Sequence, residues 1–222
     1  EKSRKICLVG YTNAGKSTLF NHLTDAGVLV EDRLFATLDS TSRQFKLSTG
    51  NPVVLSDTVG FISNLPHHLV ASFRATLMEA TDADLLLHLV DVSDPRHEYY
   101  IEQVNEVLSQ IGAAEIPQIL VLNKSDRVDP RLLALYERVY SDAVLISAVT
   151  GQNTPLLLEK IETTLLGNAL LKLRLPYAKT SLVSQLHDLG VIHLEDYRED
   201  GIYLEVTLSS ADRYLVQDYI VD

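Results

Sequence analysis

The chain has 222 residues, a formal net charge of −11 and an apolar content of 46%. An acidic surface argues against broad neutralisation of nucleic-acid phosphates, so DNA is not an expected partner. The longest apolar stretch, residues 85–90, is far too short to span a membrane, and stable membrane insertion is not expected either. The single cysteine, Cys7, excludes a disulfide framework and indicates a reducing, cytoplasmic setting.

A glycine-rich loop follows the first apolar run, residues 6–9, which predicts a buried strand. The loop reads GYTNAGKS and leads into a predicted helix, so the pattern G-x-x-x-x-G-K-[ST] stands between a strand and a helix, as phosphate binding requires. Glycines let consecutive N–H groups point at phosphate oxygens, and the helix dipole favours the same negative charge. Lys16 is expected to reach the β- and γ-phosphates, and the Ser17 hydroxyl to ligate Mg²⁺. The residues assigned to phosphate binding are Gly10, Tyr11, Thr12, Asn13, Ala14, Gly15, Lys16, Ser17 and Thr18.

Three patterns follow the first helix. Residues 28–40 mix apolar and charged side chains without a period, which predicts a loop. Residues 43–47 and 52–56 flank a Thr-Gly-Asn turn sequence and predict a β-hairpin. Helical spacing then predicts a helix over residues 66–80.

An Asp-x-x-Gly segment begins where the second hairpin strand ends. The Asp57 carboxylate is expected to hold Mg²⁺ through water, and the Gly60 N–H to sense a γ-phosphate. Thr58 and Val59 complete the segment. Such a tetrapeptide is common in proteins. Its position at the end of a strand supports a role in ligand binding, because ligands bind at strand ends in open α/β sheets.

The next part of the chain alternates near-continuous apolar runs with helical patterns. Strands that alternate with helices predict an α/β fold, a Ras-like P-loop domain with a mostly parallel six-stranded sheet and helices on both faces. The hairpin makes one edge of that sheet antiparallel. The predicted strands are residues 84–91, 117–122 and 143–146, and the predicted helices are residues 97–111, 130–140 and 154–166.

Two short segments at later strand ends point to the base of the nucleotide. Asn123-Lys124-Ser125-Asp126 ends the fifth predicted strand. The Asp126 carboxylate can accept two hydrogen bonds from guanine, worth roughly 3–6 kcal/mol, whereas adenine offers no such pair. Ser147-Ala148-Val149 ends the last strand, where a backbone N–H can meet the guanine carbonyl oxygen. In order behind a phosphate loop, these segments predict a site for GTP and GDP.

The order of predicted strands and helices changes after residue 167. Gly167-Asn168 is the predicted boundary, which gives a GTP-binding domain at residues 1–168 and a small α+β domain at residues 169–222. This second domain shows no cluster of catalytic residue types. Its predicted strands are residues 171–175, 192–197 and 202–208, and its predicted helices are residues 180–188 and 211–220.

The whole chain resembles the GTPase and C-terminal domains of HflX-type proteins, which belong with the translation-factor-like GTPases. Of the segments that carry the resemblance, LFATLD and DTVGFI are far more specific than the general GTPase motifs. The resemblance implies that Thr37 is the switch threonine, which meets Mg²⁺ and the γ-phosphate; on sequence alone, Thr41 is the runner-up. The matching segments begin at Gly10 (GYTNAGKSTLFN), Leu34 (LFATLD), Asp57 (DTVGFI), Leu85 (LLLH-x-VD-x-SDP) and Asn123 (NKSD). The first switch segment contributes Phe35, Ala36, Thr37, Leu38 and Asp39.

The resemblance also implies a function. It implies hydrolysis of GTP to GDP with Mg²⁺, with Lys16, Thr37 and Gly60 as the expected catalytic residues, and binding or splitting of ribosomes under stress. HflX-type proteins carry an N-terminal domain, absent from this sequence, that is implied in contacts with the large subunit; its absence is expected to account for the acidic balance. Two alternatives stay open: a nucleotide-sensing binding module with incidental turnover, and a GTPase that acts in RNA modification or ribosome assembly.

Two residues bear on the rate of hydrolysis. In Ras-like enzymes a glutamine after Asp-x-x-Gly orients the attacking water, but here the position is Phe61, which cannot hydrogen-bond to water. Slow intrinsic turnover is therefore expected, raised by a partner that orders the switch loops. Related GTPases with asparagine at the position of Asn13 use it to hold K⁺ against the phosphates. The alternative is that Asn13 only tolerates the backbone angles of the loop.

Overall fold

The structure, a computed structural model, describes residues 3–11, 13–26, 28–29, 41–48, 50–57 and 80–221. The chain divides into two compact units. The first comprises Glu1–Leu47 and Asn51–Ile161, and the second comprises Ser48–Gly50 and Glu162–Asp222. The domain boundary at Gly167-Asn168 remains a prediction from the sequence.

The first unit contains a mixed sheet of seven strands in the order β2-β3-β4-β1-β5-β6-β7. Neighbouring strands from β4 to β7 in that order pair in parallel, whereas β3 pairs antiparallel with both β2 and β4. This arrangement confirms the predicted α/β fold with an antiparallel hairpin at one side. The bounds are β1 Arg4–Val9, β2 Val28–Leu29, β3 Thr41–Lys46, β4 Pro52–Asp57, β5 Leu85–Asp91, β6 Gln118–Asn123 and β7 Val144–Leu145.

Strand β2 lies at the start of the segment that the sequence predicts to be a loop, and it adds a seventh strand to the six predicted. Val28 and Leu29 pair with Lys46 and Phe45 of β3. Two residues are too few to show an alternating pattern, because a strand signal needs at least four. The pairing comes instead from the exposed edge that β3 offers.

Helices connect the parallel strands. The residue before the third of them, Asp129, caps its N-terminus by accepting a hydrogen bond from the Arg131 N–H at 2.8 Å, and Pro130 occupies the first turn. The predicted helix over residues 66–80 lies outside the described residues except for Ala80. The helices are α1 Lys16–Ala26, α2 His97–Gln110, α3 Pro130–Val139 and α4 Thr154–Leu166. No helix in the described part of the chain is long and apolar enough to cross a membrane.

The core of the first unit lies on both faces of β5. Leu85, Leu86 and Leu87 are fully buried, as the near-continuous apolar run predicts for a central parallel strand. Leu86 packs with residues of β1 and α2 in one cluster, formed by Cys7, Val9, Ala80, Leu86, Val104, Leu108 and Ala113. Burial of these side chains holds the central strands in register.

The register brings the carboxyl ends of four parallel strands to one edge. Leu8 pairs with Asp57, and Asp91 pairs with Asn123. Strand β1 lies between β4 and β5, where the order of strands reverses. In open α/β sheets a ligand binds in the crevice at such a reversal, outside the carboxyl ends of the strands.

The second unit is a three-stranded antiparallel sheet in the order β8-β10-β9. Its strands are β8 Asn168–Leu175, β9 Val191–Arg198 and β10 Gly201–Ser209, and α5 spans Thr180–Leu189. Side chains from α5 and one face of the sheet form the core together with Val216, which follows the last strand: Leu171, Leu173, Leu175, Val183, Leu186, Ile202, Leu204, Val206 and Leu208.

The predicted C-terminal α-helix over residues 211–220 is wrong. The structure has two 3-10 segments instead, Ser210–Leu215 and Gln217–Tyr219. The backbone then bonds to β8, since Ile220 bridges Leu173 and the Val221 N–H donates to the Lys172 carbonyl at 2.9 Å. An amphipathic pattern over ten residues cannot distinguish an α-helix from two tighter turns whose last residues pair with a strand.

Candidate nucleotide-binding site

The phosphate loop connects β1 to the first residue of α1, Lys16. Within it the Ala14 N–H donates to the Tyr11 carbonyl at 3.1 Å, and the Leu19 N–H donates to the Gly15 carbonyl at 3.0 Å. Gly15 has a φ of +97°, and a Cβ there would lie 2.4 Å from Asn123 Nδ2. Only glycine fits, because both the backbone angle and the neighbour exclude a side chain.

Lys16 and Asp57 are the charged groups of the phosphate end of the site. Lys16 is only 5% exposed, and its Nζ donates to the Gly10 carbonyl at 3.3 Å. Burial lowers the pKa of Lys16, an effect that the Asp57 carboxylate opposes. Burial likewise raises the pKa of Asp57, opposed by Lys16. Each group has therefore lost water, and the attraction between them only partly offsets that loss.

One oxygen of Asp57 has no hydrogen-bond partner within the described residues. This atom, Oδ1, is buried. An orphaned carboxylate oxygen costs free energy unless a ligand or water satisfies it. Ser17 is exposed in the first turn of α1. A hydroxyl and a carboxylate are oxygen ligands of the kind that Mg²⁺ prefers, so these two residues fit a magnesium ion.

Asn123 joins three segments of the site. Its Nδ2 donates to the Ala14 carbonyl at 2.9 Å, and its Oδ1 accepts from the Ala148 N–H at 3.0 Å. Asn123 is buried, at 2% exposed. The phosphate loop and the Ser147-Ala148-Val149 segment are thus held by one carboxamide, which uses its donor and its acceptor at the same time.

Lys124 ties the base side to the phosphate loop. Its Nζ donates to the Asn13 carbonyl at 2.7 Å and pairs with Asp91 Oδ2 at 2.9 Å. Its backbone adopts the left-handed conformation, with φ +65°. The short 3-10 turn that follows, Ser125–Arg127, carries an exposed Asp126 carboxylate. An exposed carboxylate on a fixed turn is available to a base entering from solvent.

The last predicted segment is held by its own turn. The Ser147 N–H donates to the Gln152 carbonyl at 3.1 Å, and the Ala148 N–H is engaged by Asn123. The Val149 N–H has no partner among the residues that the structure describes. Ser125, whose N–H donates to the Ile146 carbonyl at 3.1 Å, fixes this turn beside Asp126.

The structure therefore brings together most of the residues that the sequence assigns to the site. Outside the described residues lie Thr12, Phe35, Ala36, Thr37, Leu38, Asp39, Thr58, Val59, Gly60 and Phe61. Sequence reasoning did not assign Asp91 to the site, although it ends a buried strand beside the one that ends at Asn123. The position of Asp91 at the end of a buried strand is the sequence feature that could have indicated it.

A parallel sheet with a phosphate loop at its switch point and an Asn-Lys-x-Asp segment on the next strand but one defines the class of P-loop GTPases. Residues 5–124 match a family model described as "50S ribosome-binding GTPase". The match spans more than half of the chain, and the chain belongs to this family of GTPases.

Within the family, the chain is similar to proteins named GTPase HflX. The relative from Escherichia coli is 46% identical over 212 residues, which are 93% of this chain and 50% of the relative. The relative from Gluconacetobacter diazotrophicus is 45% identical over 206 residues, or 91% of this chain and 45% of the relative. The HflX-type resemblance is confirmed. The chain spans about half the length of these curated relatives.

A solved structure has the same fold. It is a GTP-binding protein from the hyperthermophilic archaeon Sulfolobus solfataricus in complex with GDP. The two share 30% sequence identity with a TM-score of 0.60, over 73% of this chain and 52% of that one.

Proposed function

We propose that this chain binds guanine nucleotide at the carboxyl edge of the seven-stranded sheet and hydrolyses GTP to GDP. The observation that carries the proposal is the desolvated Lys16 beside Asp57, whose Oδ1 atom lacks a partner among the described residues. A buried ammonium needs an anion, and nucleotide phosphates supply one. Membership of a GTPase family supports the same conclusion.

The base is proposed to lie against Asp126 and the Ser147-Ala148-Val149 segment. Asp126 accepts hydrogen bonds from the guanine N1–H and amino group, and a backbone N–H of the second segment donates to the guanine carbonyl. Two charge-assisted bonds discriminate against adenine by roughly 3–6 kcal/mol. The hydrogen bonds of Asn123 and Lys124 keep these contacts at a fixed distance from the phosphate loop.

We infer that Ser17 and Asp57 hold Mg²⁺, together with Thr37 as the resemblance implies. When bound, Mg²⁺ supplies positive charge to the β- and γ-phosphate oxygens. Lys16 adds its own charge there and is the first of the proposed catalytic residues. Thr37 and the Gly60 N–H complete the set by contacting the γ-phosphate. The reaction itself is in-line attack of water on that phosphate.

Slow intrinsic turnover follows from Phe61. A phenyl ring neither accepts a hydrogen bond from the attacking water nor donates one to it, so it cannot replace the orienting glutamine of Ras-like enzymes. A partner that orders the switch segments is proposed to raise the rate.

The proposed partner is the ribosome in the cytoplasm, through its large subunit. The family description and the HflX relatives support this partner. The net charge of −11 argues against broad contact with rRNA by this chain itself. Action on RNA modification or ribosome assembly, and nucleotide sensing without meaningful turnover, are the competing functions.

Steady-state GTP hydrolysis with and without purified ribosomes separates these functions. The proposal expects a low basal rate that rises when intact ribosomes or large subunits are added. A rise only with unmodified or immature rRNA would favour the modification or assembly role. Tight nucleotide binding with no turnover under any condition would favour the sensing module and overturn the proposed activity.

Potassium is a second proposed means of raising the rate. Asn13 is exposed, and its backbone carbonyl is held by Lys124, which leaves the side chain accessible at the loop. Single-turnover hydrolysis of wild type and Asn13→Ala in matched K⁺ and Na⁺ buffers tests the idea. Faster turnover of wild type in K⁺ alone is expected, whereas equal rates in all four conditions would show that K⁺ has no role.

A further inference from the structure

A solvent-open cavity of about 290 Å³ lies at the surface of the first unit, between α2 and the C-terminal end of α3. Five of its ten lining residues are exposed: Asn105, Gln118, Val139, Ser141 and Asp142. None of the residues assigned to nucleotide binding lines it. Ile101 of α2, Leu120 of β6 and Val139 of α3 give it an apolar lining. The volume is close to the lower limit of small-molecule sites, which suits a group of roughly ten non-hydrogen atoms.

The polar groups of this cavity carry a consistent chemical bias. Asn105 and Gln118 contribute carboxamides, Ser141 a hydroxyl and Asp142 a carboxylate. The Asp142 carboxylate has no hydrogen-bond or ion-pair partner within the described residues. No lysine or arginine lines the cavity. Among the lining residues the only formal charge at pH 7 is therefore the Asp142 carboxylate, which attracts a cation rather than a phosphate.

Of the charged groups just outside the cavity, one favours a cationic ligand and one opposes it. Tyr140, a lining residue, donates its hydroxyl to the Glu98 carboxylate at 3.4 Å. Lys160 donates its Nζ to the backbone carbonyl of Asp142. One carboxylate thus adds to the negative potential and one ammonium reduces it, so Asp142 is the group on which recognition of a cation depends.

A buried imidazole forms part of the wall. His88 is 2% exposed, and its Nε2 has no hydrogen-bond partner among the described residues. Burial lowers the pKa of His88 to about 4. The ring is therefore neutral near pH 7 and does not repel a positively charged ligand.

We propose that this cavity binds a small organic cation with a flat, donor-rich head and an apolar stem, the chemistry of an alkylguanidinium. The head pairs with Asp142 and the carboxamides of Asn105 and Gln118, and the stem packs on Ile101 and Val139. A free guanidine compound and an arginine side chain of a partner protein share this chemistry.

The test titrates the 222-residue chain with butylguanidinium and with its neutral isostere butylurea, followed by NMR of the His88 ring. For a ligand this small, saturable binding is expected with a Kd on the order of 1 mM. Butylurea is expected to bind at least about 10-fold more weakly, since it cannot form the charge-assisted bond. Equal binding of the two compounds, or no saturation by butylguanidinium at about 10 mM, overturns the proposal.

Variants place the binding in the cavity. Asp142→Asn is expected to weaken butylguanidinium about 10-fold, because it removes the charge and keeps the shape. Glu137→Gln removes an exposed carboxylate of α3 that does not line the cavity, and it should bind as wild type. Asn105→Phe, at an exposed position, should block binding by filling the space. Unchanged affinity in Asp142→Asn and Asn105→Phe overturns the proposal.

An acetylated and amidated Gly-Arg-Gly peptide, against the same peptide with citrulline, distinguishes the two sources of the cation. Binding of the arginine peptide as well as butylguanidinium, without binding of the citrulline peptide, identifies a side chain of a partner as the ligand. Binding of butylguanidinium without binding of either peptide identifies a free small molecule. Both results support the cavity as a cation site, and failure of all four compounds contradicts it.

Discussion

Polar groups differ in burial and pairing between two regions of the molecule. The first region is the carboxyl edge of the seven-stranded sheet, and the second is the three-stranded sheet of the second unit. At the first, Lys16, Asn123 and Ser125 are buried, and Asp57 and Ser125 each have an oxygen without a partner among the described residues. In the second, charges pair at the surface, as Arg174 does with Asp200 at 3.1 Å, and the buried Glu162 of the same unit accepts a hydrogen bond from the Ser48 hydroxyl. Both units have apolar cores, so packing alone does not explain the difference.

The difference indicates which of the two units binds a ligand. A buried polar group without a partner is costly, and such groups persist where something outside the chain satisfies them. An exposed ion pair contributes little and needs no ligand. We therefore propose that the nucleotide binds to the first unit; the described part of the second unit has no buried side-chain polar atom without a hydrogen-bond partner.

Removing the charge of Lys16 is expected to have the largest effect. Lys16→Ala should weaken Mg·GTP at least about 100-fold, because charge-assisted contacts to phosphate are lost. The melting temperature of the nucleotide-free protein should stay the same or rise, since a desolvated ammonium is removed. Ser17→Ala should likewise abolish Mg·GTP binding or turnover without unfolding the chain. Isothermal titration and thermal unfolding measure the two effects.

Lys172→Ala is the matched control for that experiment, because this lysine is exposed on β8 of the second unit. Its nucleotide affinity should equal that of wild type. A large drop in the melting temperature of nucleotide-free Lys16→Ala would assign Lys16 a structural role and remove the contrast between the two regions.

Acid should destabilise the protein through His88. Burial lowers its folded-state pKa from 6.5 to about 4, so between these pH values the unfolded chain binds more protons than the folded one. The free energy of unfolding therefore falls as pH drops through that window, by up to about 3 kcal/mol, and this contribution is constant below it. Urea unfolding of wild type and His88→Leu from pH 7 to pH 4 measures the difference between them. Parallel pH profiles would show that His88 titrates normally.

The salt bridge between Lys124 and Asp91 should have a moderate effect. Asp91→Asn keeps a hydrogen-bond acceptor but removes the charge that holds Lys124 Nζ at 2.9 Å. Nucleotide affinity is expected to fall about 5- to 10-fold, since the pair is partly buried and Lys124 also holds the Asn13 carbonyl. Fluorescence titration with a labelled GDP measures it. An affinity equal to that of wild type would exclude Asp91 from the site.

The smallest effect is expected in the second unit. Arg174→Ala breaks a pair in which both side chains are more than half exposed, at 51% and 59%. The free energy of unfolding should change by less than about 1 kcal/mol, and GDP affinity should not change. Urea unfolding and GDP titration of the same preparation test both statements. A loss of GDP affinity here would break the contrast on which the assignment of the site depends.

The sequence predicts the position of a candidate residue well where that residue ends a parallel strand. Asp57 and Asn123 each end a strand, and parallel strands end at one edge, so motif order alone brings them together. The sequence does not predict Asp91 as a site residue, because its contact with Lys124 depends on the neighbouring strand rather than on a motif. The sequence predicts an α-helix in place of the C-terminal 3-10 segments, because the pairing of Ile220 with β8 overrides a helical pattern.

The central claim is that Asp126 reads guanine, and titration of GDP and XDP against wild type and Asp126→Asn tests it most directly. The carboxylate of wild type should favour GDP over XDP, whereas the amide of the variant supplies a donor to the second carbonyl of xanthine. The expected result is a reversal of preference, with GDP weakened by about 100-fold or more. Unchanged GDP affinity in Asp126→Asn would contradict it and remove Asp126 from the base pocket.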